Sequence, residues 1–291
     1  MPNLKAIRKR IATVKNTRKI TRAMKLVAAA RLRKAQENIT RMRPYALQTM
    51  DMIASLAARA GDDEELHPLL ARREPKRVLF VVLTSDRGLA GAFNSGVSKA
   101  AHRAYTEIRS ANTTVELAMI GRKGADYFKR RNIPINKSFH NMWEQLSYRK
   151  AEEIGDYIVE EYTTKGLDAA YLCYNEFKSA ITQKVVVEKI LPIEPVKTAT
   201  NEDNTVDYIY EPDQRTILNT ILPLYVNVEI YRALLESVAS EHAARMTAMD
   251  NATNNAADMI KRLTLQANRA RQAAITTELM EIIGGAEALK G

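Results

Sequence analysis

The sequence predicts an α/β protein made of two unlike parts. One is a long antiparallel two-helix coiled coil formed by the N- and C-terminal segments; the other is a central Rossmann-like α/β domain. Three observations predict this. The sixty residues from Leu224 to Ile283 contain neither glycine nor proline. Residues 3 to 43 lack both as well. Between these runs, strand-like and helix-like segments alternate. Glycine and proline are the strongest helix breakers, so each run reads as one helix, of roughly 90 Å and 60 Å at 1.5 Å per residue. No core of a 291-residue chain can enclose such a helix, so each needs the other beside it.

The elements follow in order. Residues 1–60 are expected to form the N-terminal coiled-coil helix, with Pro44 either kinking or ending it. Its apolar positions are Leu4, Ile7, Ile11 and Val14, then Ile20, Met24 and Val27. The heptad therefore holds and then shifts, which would alter the local supercoil. Residues 61–76 read as an exposed linker of mixed charge. Residues 77–223 form the central domain. RVLFVVL (77–83) is a buried strand, Asp86-Arg87-Gly88 turns the chain, and GLAGAFN opens a helix over Asn94 to Ala111. A second strand is expected over 114–121 and a helix from Ala125 to Arg131. A further helical stretch covers Met142 to Thr164, and strands cover 168–177 and 184–193. Such alternation argues for a largely parallel sheet.

Residues 224–291 form the C-terminal coiled-coil helix. From Met246 its seam steps by threes and fours through Met249, Thr253, Ala256, Ile260, Leu263, Ala267, Ala270 and Ala274, a coiled-coil period. Alanine, threonine and methionine dominate it. Such a seam permits close approach but buries little area, so the pair would gain from enclosure by something else.

Charge is concentrated at one end. Residues 1 to 43 hold 14 Lys and Arg against one acid, Glu37, for a net +13; the remainder holds 30 basic and 33 acidic residues, for a net −3. The basic face comprises Arg8, Lys9, Arg10, Lys15, Arg18, Lys19, Arg22 and Lys25, continuing to Arg31, Arg33 and Lys34. Its self-repulsion points to an acidic partner: nucleic acid, an anionic membrane or an acidic protein surface. No aromatic residue for base stacking falls within the run, the first being Tyr45, which argues against single-stranded nucleic acid.

Catalytic signals are lacking. GLAGAFN has neither the dinucleotide fingerprint nor the phosphate-loop spacing and reads as a tight strand-to-helix turn. His67, His102, His140 and His242 show no metal-ligand spacing. The single cysteine, Cys173, sits in an apolar run and reads as a buried hydrophobe. No apolar stretch approaches the roughly 20 residues that span a bilayer. The acid-poor, Arg-rich start superficially resembles a mitochondrial transit peptide, but it runs unbroken into the patterned helix.

Long motifs remain: LKAIRKRIATVKNTRKITRAMKLVAAARLRKA, SDRGLAGAFN, YNEFKSAITQ with the later LPI, YIYEPD, LPLYVNVEIYRALLESVASEHAARMTAMDNATNNA and NRARQAAITTELMEIIGGAEAL. On these, the chain resembles the gamma subunit of bacterial F-type ATP synthases, the rotating central stalk. Ala90 and Ala92 stand where that family often has cysteine and glycine, and the paired-cysteine insertion of the chloroplast form is missing. The resemblance implies a non-catalytic shaft inside a ring of three alpha and three beta subunits, with the epsilon subunit and the c-subunit ring at its foot. It implies no cofactor, no metal and no nucleic acid, and a peripheral place at the cytoplasmic face of the bacterial inner membrane.

It also implies residue roles. Arg271, Gln272, Thr276 and Glu278 match a polar catch for beta-subunit loops. Leu279, Ile282 and Ile283 match an apolar tip held in a hydrophobic sleeve. The basic face meets an acidic beta lever. Tyr208, Tyr210, Glu211 and Asp213 match the foot facing the c ring and epsilon. The competing readings are a basic helical hairpin that binds nucleic acid and an α/β enzyme with helical extensions.

Overall fold

The computed structural model describes residues 4–59, 67–71, 73–109, 113–194 and 214–288. Its contacts cluster into two compact units: residues 1–28 with 246–291, and residues 29–245. Helix α1, Leu4–Arg59, and helix α5, Gln214–Ala288, each contribute to both.

The larger unit holds a five-stranded sheet. Strands β1 (Arg77–Leu83), β2 (Thr114–Ile120), β3 (Lys137–Phe139), β4 (Ala169–Phe177) and β5 (Gln183–Leu191) lie in the order β3-β2-β1-β4-β5. The first four are parallel, and β5 returns antiparallel to β4. Helices α2 (Phe93–Arg109), α3 (Arg122–Lys129) and α4 (Tyr148–Thr164) connect them. Strand β1 is covered on both faces, which is why RVLFVVL is continuously apolar. Leu79, Val81 and Leu83 join one core with Ile154 and Ile158 of α4 and Leu222 and Leu234 of α5. Val78, Phe80 and Val82 join another with Val97, Ala101 and Tyr105 of α2 and Phe128 of α3.

The expected elements are present with shifted ends. Pro44 lies inside α1, which runs on to Arg59. The C-terminal helix begins before Pro223 and continues through Gly284 and Gly285, so the helix outlasts its glycine- and proline-free run at both ends. The helix expected over Met142 to Thr164 starts only at Tyr148. Asn141 and Gln145 adopt φ of 58° and 53°, which interrupts any helix across that stretch. Strand β3 was not anticipated, because three residues are too short for a period. The sheet is largely parallel, as expected, with one antiparallel edge: the KSAIT turn lets β4 and β5 form a hairpin, with Ser179 N–H donating to Thr182 O at 3.0 Å.

A polar cluster ties α5 to the sheet. The Arg232 guanidinium meets Glu188 of β5 at 2.9 Å, Glu229 at 2.6 Å and Glu236 at 3.5 Å. The Tyr174 hydroxyl donates to Glu188 at 2.9 Å. One guanidinium cannot offset three carboxylates at close range. Burial therefore holds the carboxyl protons of Glu229 and Glu236 above their usual range, against the opposing pull of Arg232. One oxygen of Glu236 is buried without an acceptor or donor partner.

The glycine contacts and the acid cluster are each open to test. A Cβ on Gly155 would lie 1.7 Å from Asn227 Oδ1, where α4 meets α5. Gly155→Ala should therefore lower the thermal midpoint, by a free energy of about 1–3 kcal/mol. Gly96→Ala, whose Cβ would meet Val185 at an ordinary 3.6 Å, should be neutral or stabilising by up to ~1 kcal/mol. For the acid cluster, a folded-state pKa raised above the unfolded value gives stability that is present at low pH and lost as pH rises through it. Denaturant titrations from pH 4.5 upward should show a declining contribution that Glu236→Gln reduces.

Candidate functional site

In the smaller unit, α1 and α5 meet along a seam of small residues. The Thr21 and Thr253 hydroxyl oxygens are 2.8 Å apart, and Lys25 Nζ donates to Asp250 Oδ1 at 2.7 Å. These contacts set an antiparallel register. Counted outward by heptads, Ala28 stands opposite Met246, Val14 opposite Ile260, Ile11 opposite Leu263 and Ile7 opposite Ala267. Burial agrees: Ile7, Thr21, Ala28, Met249, Ala256 and Leu263 are all buried.

This overturns the expected shift in the first helix. Ile20 and Val27 are 60% and 53% exposed. The seam phase instead continues from Val14 through positions 18, 21, 25 and 28, and Leu32 and Ala35 of the larger unit are buried on the same phase. The heptad is unbroken; Thr21 and Lys25 occupy it as polar members, paired across the seam. A threonine pair costs little in area and lets the backbones approach closely. The half-exposed Lys25–Asp250 pair is worth about 0–1 kcal/mol and acts mainly in holding the register. The signal was present in the sequence as the seven-residue steps Val14, Thr21 and Ala28.

The predicted site residues distribute as follows. Arg8, Lys9, Arg10, Lys15, Arg18, Lys19 and Arg22 are all exposed, and none has an ion-pair partner among the described residues. Arg18 falls on the seam phase yet keeps its charge in water. Lys25 differs from the others, because Asp250 already engages it. Past Ala270, which stands opposite Leu4, α5 has no described partner helix. From Arg271 to Ala286 every side chain is exposed except Ala273.

Arg271, Gln272, Thr276 and Glu278 lie on this free end. The Thr276 hydroxyl donates to Gln272 O at 3.0 Å, while Arg271 and Glu278 have no side-chain partner among the described residues. Leu279, Ile282 and Ile283 are 53%, 66% and 52% exposed, with Ile275 and Met280 similarly uncovered. A run of large apolar side chains open to water marks an interaction surface. Tyr208, Tyr210, Glu211 and Asp213 lie outside the described residues.

The glycine-bearing turn after β1 is a structural joint. Asn94 Oδ1 accepts from the Ser85 N–H at 2.9 Å, and Ser85 Oγ donates to Arg87 O at 2.6 Å. Asp86 Oδ1 accepts from the Arg122 N–H at 3.0 Å, at the start of α3. Thr84 Oγ1 accepts from the Gly124 N–H at 2.8 Å. Gly121 has φ of 91°, and a Cβ there would lie 2.0 Å from Thr84 O. The YNEF motif is similarly occupied: Asn175 Nδ2 donates to Phe93 O, and Ser240 Oγ of α5 donates to Asn175 O. Cys173 is buried, and burial raises its thiol to about 12, so it stays protonated. Among the described residues, no group of histidine, cysteine and carboxylate side chains could hold a metal ion.

A family model described as ATP synthase matches residues 3–289. The ATP synthase gamma chain of Anaeromyxobacter sp. (strain Fw109-5) is 51% identical over 291 residues, the whole of both chains. That of Sorangium cellulosum is 47% identical, again over the whole of both. The chain belongs to the ATP synthase gamma-chain family. Among solved structures, the central stalk and c-ring of the Tetrahymena thermophila mitochondrial ATP synthase contains a similar chain: 27% identity, a TM-score of 0.62, 80% of this chain and 99% of that one. In this gamma-family chain, then, the long terminal motifs build a paired seam with a bare end, and the central motifs hold the sheet to its helices.

The register is directly testable. Ala28→Leu should overfill a close helix contact and cost about 1–3 kcal/mol. Ile20→Ala and Val27→Ala, on the outer face, should stay within about 0.5 kcal/mol of the parent. Thermal unfolding of the full chain followed by circular dichroism distinguishes these; the opposite ranking would restore a shifted seam.

Proposed function

We propose that this chain is the non-catalytic central rotor shaft of an F-type ATP synthase. It carries rotation of a c-subunit ring to the catalytic sites of the beta subunits, for ATP synthesis or hydrolysis. The observation that carries the reading is the bare end of α5: sixteen residues, 271–286, of helix with uncovered apolar and polar side chains, in a chain of the gamma-chain family. A helix cannot keep Leu279, Ile282 and Ile283 in water without cost. A ring of alpha and beta subunits closed around it would supply the missing cover.

The physics of the rest agrees. A rotor must be guided at every angle and locked at none. Exposed cations on α1, without ion-pair partners among the described residues, would interact with an acidic lever over distance and without one fixed geometry. Specific contacts belong at the end, where Arg271, Gln272, Thr276 and Glu278 would form the catch and Leu279, Ile282 and Ile283 the bearing. Tyr208, Tyr210, Glu211 and Asp213 would face the c ring and epsilon at the foot. No described helix is long and apolar enough to cross a membrane; association through the complex, at the cytoplasmic face of a bacterial plasma membrane, serves the role.

Reconstitution is the test. Mixed with alpha and beta subunits, the chain should co-elute as one copy per three of each and activate ATP hydrolysis. Failure to co-elute with folded subunits would sink the proposal. Arg271→Ala should lower coupled turnover about tenfold, the loss of one charge-assisted contact, with the chain's own melting unchanged. Deleting residues 279–291 should impair turnover less than disrupting the seam from Met246 to Ala274; severe loss of assembly from the tip deletion alone would contradict the bearing assignment.

A further inference from the structure

The larger unit contains a crevice of about 470 Å³ that the rotor reading does not use. Its walls come from the segments that follow β1, β2 and β3, closed by residues of α1 and α5. This is the carboxyl end of a parallel sheet, where open α/β folds place their ligands. We propose that the crevice binds a compact phosphate-bearing anion of the diphosphate class.

The charges carry the argument. Arg31 reaches the crevice from α1, Arg87 from the turn after β1, and Arg122 from the start of α3. None of these three guanidinium groups has an ion-pair or hydrogen-bond partner among the described residues. Three unpaired guanidiniums brought together from separate elements repel one another, and an anion relieves that repulsion. The planar fork of each matches phosphate oxygens in pairs.

The carboxylates nearby are mostly engaged. Glu241 pairs with Arg245 at 2.7 Å, both nearly buried, and Arg245 also donates to Gly88 O at 3.2 Å. Asp86 accepts the Arg122 backbone N–H. Glu144, exposed on the rim, has no ion-pair or side-chain hydrogen-bond partner among the described residues. His242 lies in the wall; burial, with Arg245 and Arg31 beside it, lowers its pKa to about 4, so it is neutral at neutral pH. The backbone presenting Arg87 is fixed in advance by Ser85 and Asn94. The volume falls in the usual range for small-ligand sites.

Trp143, the one tryptophan of the chain, lines the crevice and provides the readout. The full chain is titrated at low ionic strength with inorganic pyrophosphate, and in parallel with ADP and with inorganic phosphate, following tryptophan fluorescence. Pyrophosphate should give a saturable change with a dissociation constant below about 1 mM. Arg31→Ala and Arg122→Ala should each weaken it about tenfold, Arg122→Lys less, and Arg269→Ala, remote on α5, not at all. These arginines are exposed, so the variants should fold; circular dichroism confirms that. Tighter binding of ADP would extend the ligand to a nucleotide, and equal binding would confine it to the diphosphate group. No saturable change up to about 10 mM, or one undiminished in both alanine variants, overturns the proposal. So does a polyglutamate peptide that binds through the same arginines while pyrophosphate does not, which would make the crevice a docking surface for an acidic segment.

Discussion

The antiparallel register between α1 and α5 is the constraint on which the remaining features rest. A helix of 75 residues gains its stability from packing, not from propensity; its first part packs on the sheet, and the stripe its later part meets lies at the other end of the chain. Thr21 against Thr253 and Lys25 against Asp250 fix which turn meets which. Once they do, the apolar seam, the outward basic face and the length of α5 left without a partner are all determined. A slip of one heptad would bring Arg18 and Lys25 against different neighbours and change how much of the end is bare.

The seam is weak by design of its residues. Threonine and alanine bury little area, so the pair is slender, and its outer faces keep Ile20, Leu26 and Val27 uncovered. Those exposed apolar groups, together with Leu279, Ile282 and Ile283, describe a helix pair suited to enclosure. The larger unit answers a different demand. Its central strand β1 is buried on both faces, and α5 is fastened to the sheet by Arg232 bridging to Glu188 and by Ser240 bonding to the backbone of Asn175. That joint fixes this stretch of α5 to the sheet.

Much of this was legible in the sequence. Continuous glycine- and proline-free runs disclose the long helices, and RVLFVVL discloses a doubly buried strand, because both follow from local rules. Element ends were less legible. Pro44 and Pro223 lie within helices because packing along the rest of each helix outweighs one lost backbone hydrogen bond. The stretch before Tyr148 was misread because nothing local announces the left-handed residues Asn141 and Gln145. The polar seam members were missed because threonine and lysine do not register as core in an apolar pattern; only the partner's Thr253 and Asp250 make them so.

By itself the sequence determined the fold class, the concentration of positive charge on the first helix and the family motifs, since composition, period and order are properties of the chain alone. Tertiary structure decided the rest: that β5 turns back against β4, that Lys25 belongs to the seam while its basic neighbours face water, and that Arg31, Arg87 and Arg122 gather around one crevice. These depend on which residues meet across long separations in the chain, and distance in space is not written in any local pattern.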